Sequence, residues 1–439
     1  MNKTRIPSTL LAFLAATAPA HRAWPQGPPA PTARSLTLRE TLERALALSP
    51  GLDAAQAAGS AANAEASLAR DAFHPEAWAS STPGYSSGIP VAVAGRVPAI
   101  AGVEVRQTLY DRQSRSQIFQ TEALAAAKEG EAGRTRNETA RAAALLYARC
   151  WFDGPRVDSA RRRQLSAETI RDHVAARVRE GRRTELDLER AQLEAAKARQ
   201  KTLDAESDRD LDFRELRITI GAEPNLPIAI AEDPQTALGS GPGTADLARL
   251  RAADPALRSL ELELAALRRS ERVEGSALSP VVAVEGQYSR LSRANGYDRY
   301  YRSFKADDWS VGLSVAVPLW SGNRVEDSRA RLESRIAAAE AQRRGRLTAL
   351  DLAAGRAEAG LDRASAAESL AERGVGVSTE ALWESESLRR EGREEPDEVE
   401  KRQIELSDSE EEALRARLDW ISSRCDLLSL SGELAASAR

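Results

Sequence analysis

The sequence predicts a mostly α-helical chain with a small β part, built as two copies of one plan: strand, strand, long helix, sharp tip, returning helix. Three observations predict it. Landmarks rich in Gly and Pro recur in the same order about 210 residues apart. Charged residues make up 29% of the chain and aromatic residues 5%, a mixture suited to long solvated helices that pack through small residues. Short runs of period two are followed by long runs of helical spacing.

The repeat is read by offset. Leu48-Ser49-Pro50-Gly51-Leu52 is echoed by Ala253-Asp254-Pro255-Ala256-Leu257, and His74-Pro75 by Ser279-Pro280, both at 205. Val103, Val105, Gln107, Leu109 and Tyr110 are echoed by Leu313, Val315, Val317, Leu319 and Trp320 at 210. Glu180-Gly181-Arg182 and Glu391-Gly392-Arg393 stand 211 apart, as do Ile220-Gly221 and Ser431-Gly432. The first jump in offset marks an insertion, and insertions sit in exposed loops.

The strands come first in each copy. Val282, Val284, Gly286 and Tyr288 alternate with Ala283, Glu285, Gln287 and Ser289. Trp309, Val311, Leu313, Val315 and Val317 alternate with Ser310, Gly312, Ser314 and Ala316. These runs predict two-faced strands at about 281–289 and 309–317. Weaker counterparts lie at about 77–85 and 99–109. Each run is about as long as a tilted strand that crosses a bilayer. Tyr288 and Trp309 stand where an aromatic girdle would be, with Val311, Leu313 and Val315 facing lipid. Glu104, Arg106, Glu285 and Gln287 would then face a lumen; the competing reading is the polar face of a periplasmic β-sandwich. Four strands do not close a barrel, so the membrane reading requires several copies. Tyr297, Tyr300, Tyr301 and Phe304, among arginines, mark an exterior loop with interfacial anchors.

Helical spacing runs from Arg112 to Glu180 and from Arg324 to Glu391, roughly 100 Å each if helical throughout. Return legs run over Arg182–Ile220 and Arg393–Ser431, and leading helices near 37–70 and 244–274 supply the missing length. Thr37 and Glu40 predict a capping box. Asp153-Gly154-Pro155 predicts a kink or local loop in the first long helix. Gly181 and Gly392 supply φ > 0 where the chain reverses.

The expected organisation is a signal peptide at 1–20, a disordered segment at 21–36, a first repeat at 37–221 with its tip near 181, a Pro-rich linker at 222–243, a second repeat at 244–434 with its tip near 392, and a tail at 435–439. The signal reading rests on Lys3 and Arg5, the apolar run Leu10–Ala16 and Ala18-Pro19-Ala20. Cleavage after Ala20 would take the net charge from -4 to -6. No run of 18 apolar residues exists, so no transmembrane helix is predicted. Cys150 and Cys425 fall at helical spacing as packed small hydrophobes.

Interleaved charge without a basic stripe argues against nucleic acid. The three histidines, His21, His74 and His173, have no metal-ligand spacing, and no Gly-rich phosphate loop follows a strand. No catalytic residue, metal or cofactor is expected.

Taken together, the doubled landmarks resemble the TolC-like outer membrane efflux protein family, over about Ser35 to Leu434. The marks are Ser49-Pro50-Gly51-Leu52 with Asp254-Pro255-Ala256-Leu257, Gln107-Thr108-Leu109-Tyr110-Asp111 with Val317-Pro318-Leu319-Trp320-Ser321-Gly322, and the tips Arg177–Leu188 and Leu388–Val399. The resemblance implies a homotrimer with one 12-stranded barrel in the outer membrane above a periplasmic α-helical barrel. It also implies a passive duct, coupled through a periplasmic adaptor to an inner-membrane transporter for efflux or type I secretion. Gly181, Arg182, Thr184, Gly392, Arg393 and Glu394 would meet the adaptor. Asp187 and Glu398 would ring the periplasmic gate, with Lys401 where the family often has a second acid. The tips depart from the family: Arg182 and Arg183 replace aliphatic residues, and Pro396 lies among Glu394, Glu395 and Asp397. The alternative reading is an exported periplasmic coiled-coil interaction protein without a pore.

Overall fold

The computed structural model describes residues 34–82, 99–239, 246–274, 279–291, 305, 307–319 and 322–437. The expected signal peptide and the tyrosines of the exterior loop lie outside these residues, as do positions 83–85 of the first expected strand.

Ten helices and six strands are described. The first copy opens with β1 (Arg34–Leu36), α1 (Leu38–Ala47) and α2 (Pro50–Asp71). Strands β2 (Glu76–Thr82) and β3 (Ala99–Tyr110) lead into the hairpin of α3 (Arg112–Arg179) and α4 (Glu185–Thr219). A connector carries β4 (Ile228–Ile230) and α5 (Pro234–Leu238). The second copy repeats the order: α6 (Leu247–Ala253), α7 (Pro255–Glu274), β5 (Val281–Leu291), β6 (Asp307–Ala316), α8 (Arg324–Arg390) and α9 (Pro396–Ser431), closed by α10 (Glu433–Ala436).

The split leading helices follow from their prolines. Pro50 and Pro255 cannot donate inside a helix, so each opens a new one at its first position. Ser49 caps α2 by accepting from the Leu52 amide at 3.3 Å. Asp254 does the same for α7 through the Leu257 amide at 2.6 Å.

Helix α3 is the spine. It packs against α2 and α7 on the strand side and against α4 and α9 on the tip side, while α8 packs on α7 and α9. Each long helix therefore runs beside two shorter ones in series. The seams use small residues: Ala123 lies with Leu264, Leu267 and Leu332, and Ala167 with Ala195 and Ala198. The thickest core is at mid-height, where Leu38 and Leu42 of α1, Tyr147 and Phe152 of α3, Ile421 and Cys425 of α9 and Leu434 meet. Cys150 and Cys425 are both buried free thiols, and burial drives each thiol pKa up.

Several expectations are corrected. Asp153-Gly154-Pro155 does not open a loop: α3 runs through Pro155. Gly154 and Pro155 face outward, while Phe152, Asp153 and Val157 are buried on either side. That packing holds the helix across one missing hydrogen bond. The capping box at Thr37 is half formed. Thr37 Oγ1 accepts from the Glu40 amide at 3.2 Å, but the Glu40 carboxylate turns to Arg34 and Arg44. Residues 34–36, expected as part of a disordered segment, are strand β1, paired in parallel with β4 of the connector. Tyr147 fastens this pair by donating to the carbonyls of Leu36 and Glu232 at 3.2 and 3.0 Å. In the expected tail, Ala435 is buried against the mid-height core.

Candidate functional site

The four long strands form one antiparallel sheet in the order β2-β3-β5-β6. Successive side chains on a strand point to opposite faces, so the register sorts them. Glu104 stands opposite Gln287 and Arg106 opposite Glu285. The four residues expected to line a lumen thus share one face. Arg106 Nε lies 3.6 Å from Glu285 Oε1, with both side chains half exposed. Trp78 joins this face and donates from Nε1 to Glu104 Oε2 at 2.8 Å. Trp78 was hardly legible from the sequence, because β2 alternates poorly.

On the other face Val103, Tyr288 and Trp309 stand in one row, and Val105, Gly286 and Val311 in the next. Leu313 and Val315 continue along β6. This face is bare: Trp309 is 74% exposed and Val311 71%. An apolar surface of that extent marks contact with lipid or protein. Both edges, β2 and β6, lack a partner strand within the described chain, and unpaired edges demand one.

At the other end of the helices lie two tips of the same design. Gly181 and Gly392 both have φ of 70°. Gly181 N–H donates to the Val178 carbonyl and Arg182 N–H to the Arg177 carbonyl, at 2.9 and 2.8 Å. Gly392 and Arg393 repeat this on Arg389 and Leu388, both at 2.9 Å. These are Schellman closures, which need a left-handed residue where each glycine stands. Arg182 and Arg393 are exposed and pair with Glu180 and Glu391 of their own turns.

The tips then diverge. Thr184 and Asp187 form a full capping box: Thr184 N–H donates to Asp187 Oδ2 at 3.1 Å and Asp187 N–H to Thr184 Oγ1 at 3.2 Å. Those bonds hold the Asp187 carboxyl below its ordinary pKa, the Thr184 backbone bond first. Helix α9 begins at Pro396 without a side-chain cap. Glu394 and Glu395 stay at the turn, and Glu398 pairs with Lys401 one turn on.

A buried acid, Asp397, joins the two hairpins close to the tips. It is 4% exposed. His173 Nδ1 lies 3.0 Å from its Oδ1, and Arg177 Nη1 donates to its Oδ2 at 3.0 Å and to Glu395 Oε2 at 2.9 Å. The Glu395 bond and the Asp397 charge raise the Arg177 pKa. Helical spacing of His173 and Arg177 was a usable signal, but only the stacking of α3 on α9 gives them a partner.

The fold thus joins a four-stranded sheet with one polar face, one bare apolar face and two open edges to helical hairpins that reach away from it. Among the described residues no helix is long and apolar enough to cross a membrane. Comparison bears on the class. Residues 247–433 match the family model described as outer membrane efflux protein. Sequence comparison with curated proteins finds no match. Among solved structures, the outer-membrane channel OprN superposes with a TM-score of 0.71 at 20% identity, covering 91% of this chain and 90% of its own. VceC from Vibrio cholerae gives 0.69 at 17% identity, over 90% and 96%. CmeC from Campylobacter jejuni gives 0.72 at 12% identity, over 90% and 85%. The second repeat thus resembles outer membrane efflux proteins in sequence, and nearly the whole chain shares the fold of these TolC-like outer-membrane channels.

Proposed function

We propose that three copies of this chain form a passive exit duct through a bacterial outer membrane, with the helical hairpins reaching into the periplasm. The observation that carries this reading is the sheet: a polar face, an exposed apolar face and two unpaired edges in one four-stranded unit. Two copies would supply eight strands, a barrel whose interior side chains fill. Three copies supply twelve and leave room for a passage. Helix α3 has 68 residues and α8 has 67, each about 100 Å at 1.5 Å per residue, a length suited to crossing much of the periplasm. The family match in the second repeat supports an efflux role.

The tips point to the partners. They end in turns of different charge: Glu180, Arg182 and Arg183 on one, and Glu391, Arg393, Glu394 and Glu395 on the other. A periplasmic adaptor that couples the duct to an inner-membrane transporter would meet Gly181, Arg182, Thr184, Gly392, Arg393 and Glu394. Repeated about a three-fold axis, Glu398 would add a negative ring at the entrance, with Asp187 beside it in its capping box.

The test is fractionation followed by conductance. The full chain should appear in the outer-membrane fraction, require detergent for extraction and open steps of ionic current in a planar bilayer. A monodisperse protein released with the periplasmic fraction would contradict the duct and favour a periplasmic coiled-coil protein.

A further inference from the structure

Where the sheet hands over to the long helices, a cavity of about 720 Å³ opens between the first turns of α3 and α8. That volume falls within the range of small-molecule sites, about 300–1,000 Å³. Val281 lies in its wall and belongs to the same alternating row as Glu285 and Gln287. The cavity therefore sits at the foot of the polar face.

Its charge is unusual for its place. Arg112 and Arg324, the first residues of α3 and α8, both line it, and Arg331 joins them two turns along α8. A cation at a helix N-terminus opposes the helix dipole, yet both copies of the repeat put an arginine there. Gln113, Gln117 and Gln120 present amides from one stripe of α3. Arg324 Nη2 donates to Gln113 Oε1 at 2.8 Å, which holds the guanidinium over the opening. Two carboxylates also line the cavity, Asp111 and Asp327. Asp111 is engaged as the α3 cap, accepting from the amides of Gln113 and Ser114 at 3.0 and 3.3 Å and from Ser114 Oγ. That α3 end is thus closed by Asp111, and the cavity offers the guanidinium groups of Arg324 and Arg331 with Asp327 as the remaining carboxylate. Val281, Val325 and Pro318 supply apolar wall beside them.

We infer that this cavity is a binding site for an organic anion: a sulfonate, carboxylate or phosphate group on an apolar skeleton. The anionic group meets Arg324 and Arg331, and the skeleton lies on Val281, Val325 and Pro318. The inference rests on the duct reading for its purpose, a station for anionic cargo below the barrel, though the binding itself does not require conduction.

The experiment uses the full chain extracted in nonionic detergent and pyrenetetrasulfonate as the probe, read by fluorescence anisotropy. The wild-type protein should bind it, more weakly as salt rises. R324Q/R331Q should lower the affinity at least about tenfold. R329Q should leave it unchanged, since Arg329 pairs with Glu333 outside the cavity. No binding by the wild type, equal binding by the double variant, or an equal loss in R329Q would each overturn the inference. Conductance of the same preparation reports separately on the duct: protein that conducts without binding the probe refutes the site alone, and protein that binds without conducting refutes the duct alone.

Discussion

His173 Nδ1 on α3 lies 3.0 Å from Asp397 Oδ1 on α9, so a buried carboxylate ties the first hairpin to the second just above the tips. Arg177 takes the other oxygen of the same carboxylate. Removing one member of such a partly buried cluster leaves the others unsatisfied. Asp397→Asn should loosen the tips by about 2 kcal/mol, seen as roughly thirtyfold faster amide exchange near 391–400. In a planar bilayer the variant should conduct more than the wild type. Unchanged exchange would show that this contact does not restrain the tips.

The crossing of α3 and α7 depends on bare backbone. A Cβ on Gly130 would sit 2.3 Å from Ser259 Oγ and 2.5 Å from its Cβ, and one on Gly133 would lie 2.7 Å from Pro255 Cβ. Gly130→Ala should therefore cost about 1–3 kcal/mol through forced displacement of α7. Gly355, inside α8, has open space around it, and Gly355→Ala should stabilise by about 0.5–1 kcal/mol. Denaturant melts of the two variants should move in opposite directions.

Asp153 gives stability a pH dependence. Burial, then the facing Asp212 and Asp208 of α4, raise its pKa from 3.8 to about 7 against the pull of Arg156 and Arg149. The folded chain then keeps a proton that the unfolded chain releases near pH 4. The stabilising contribution is complete below that pH and is lost as pH rises to about 7. The midpoint of helix melting should fall as pH rises from about 4 to about 7, and Asp153→Asn should flatten that fall. Equal slopes in both proteins would contradict the assignment.

The two faces of the sheet should tolerate charge differently. Val311→Arg places a cation on the bare apolar face, at a cost of about 2–4 kcal/mol if that face lies at mid-bilayer. Recovery from the membrane fraction should drop sharply. Gln287→Arg, on the polar face, should be recovered like the wild type.

How much of this was legible in the sequence depended on the range of the interactions. The doubled Gly and Pro landmarks carry the fold because each reports a local event: Gly181 and Gly392 a left-handed closure, Pro50 and Pro255 a helix start. Alternation along β5 and β6 sorted Glu285 and Gln287 from Tyr288 and Trp309 for the same reason. What stayed hidden depends on distant partners. Residues 34–36 become a strand only through pairing with 228–230. Pro155 is tolerated only because Phe152 and Val157 anchor α3 on either side. Asp397 looked like one acid among several at a charged tip, and only the packing of α3 on α9 buries it.

If other copies complete the sheet, its two open edges meet between chains, and disulfide trapping across them reads that contact. Within one chain β2 and β6 are separated by two strands, about 14 Å at the usual spacing, too far for a disulfide. Cysteines placed at Ala77 or Ala79 on β2 and at Trp309, Val311 or Leu313 on β6 can therefore join only between copies. Cys150 and Cys425 are buried in the helical part and stay out of the reaction. Oxidation in native membranes should give, for at least one pair, a denaturant-resistant ladder that ends at three chains. Single chains throughout, or a ladder that runs on past three, would contradict the closed three-copy barrel.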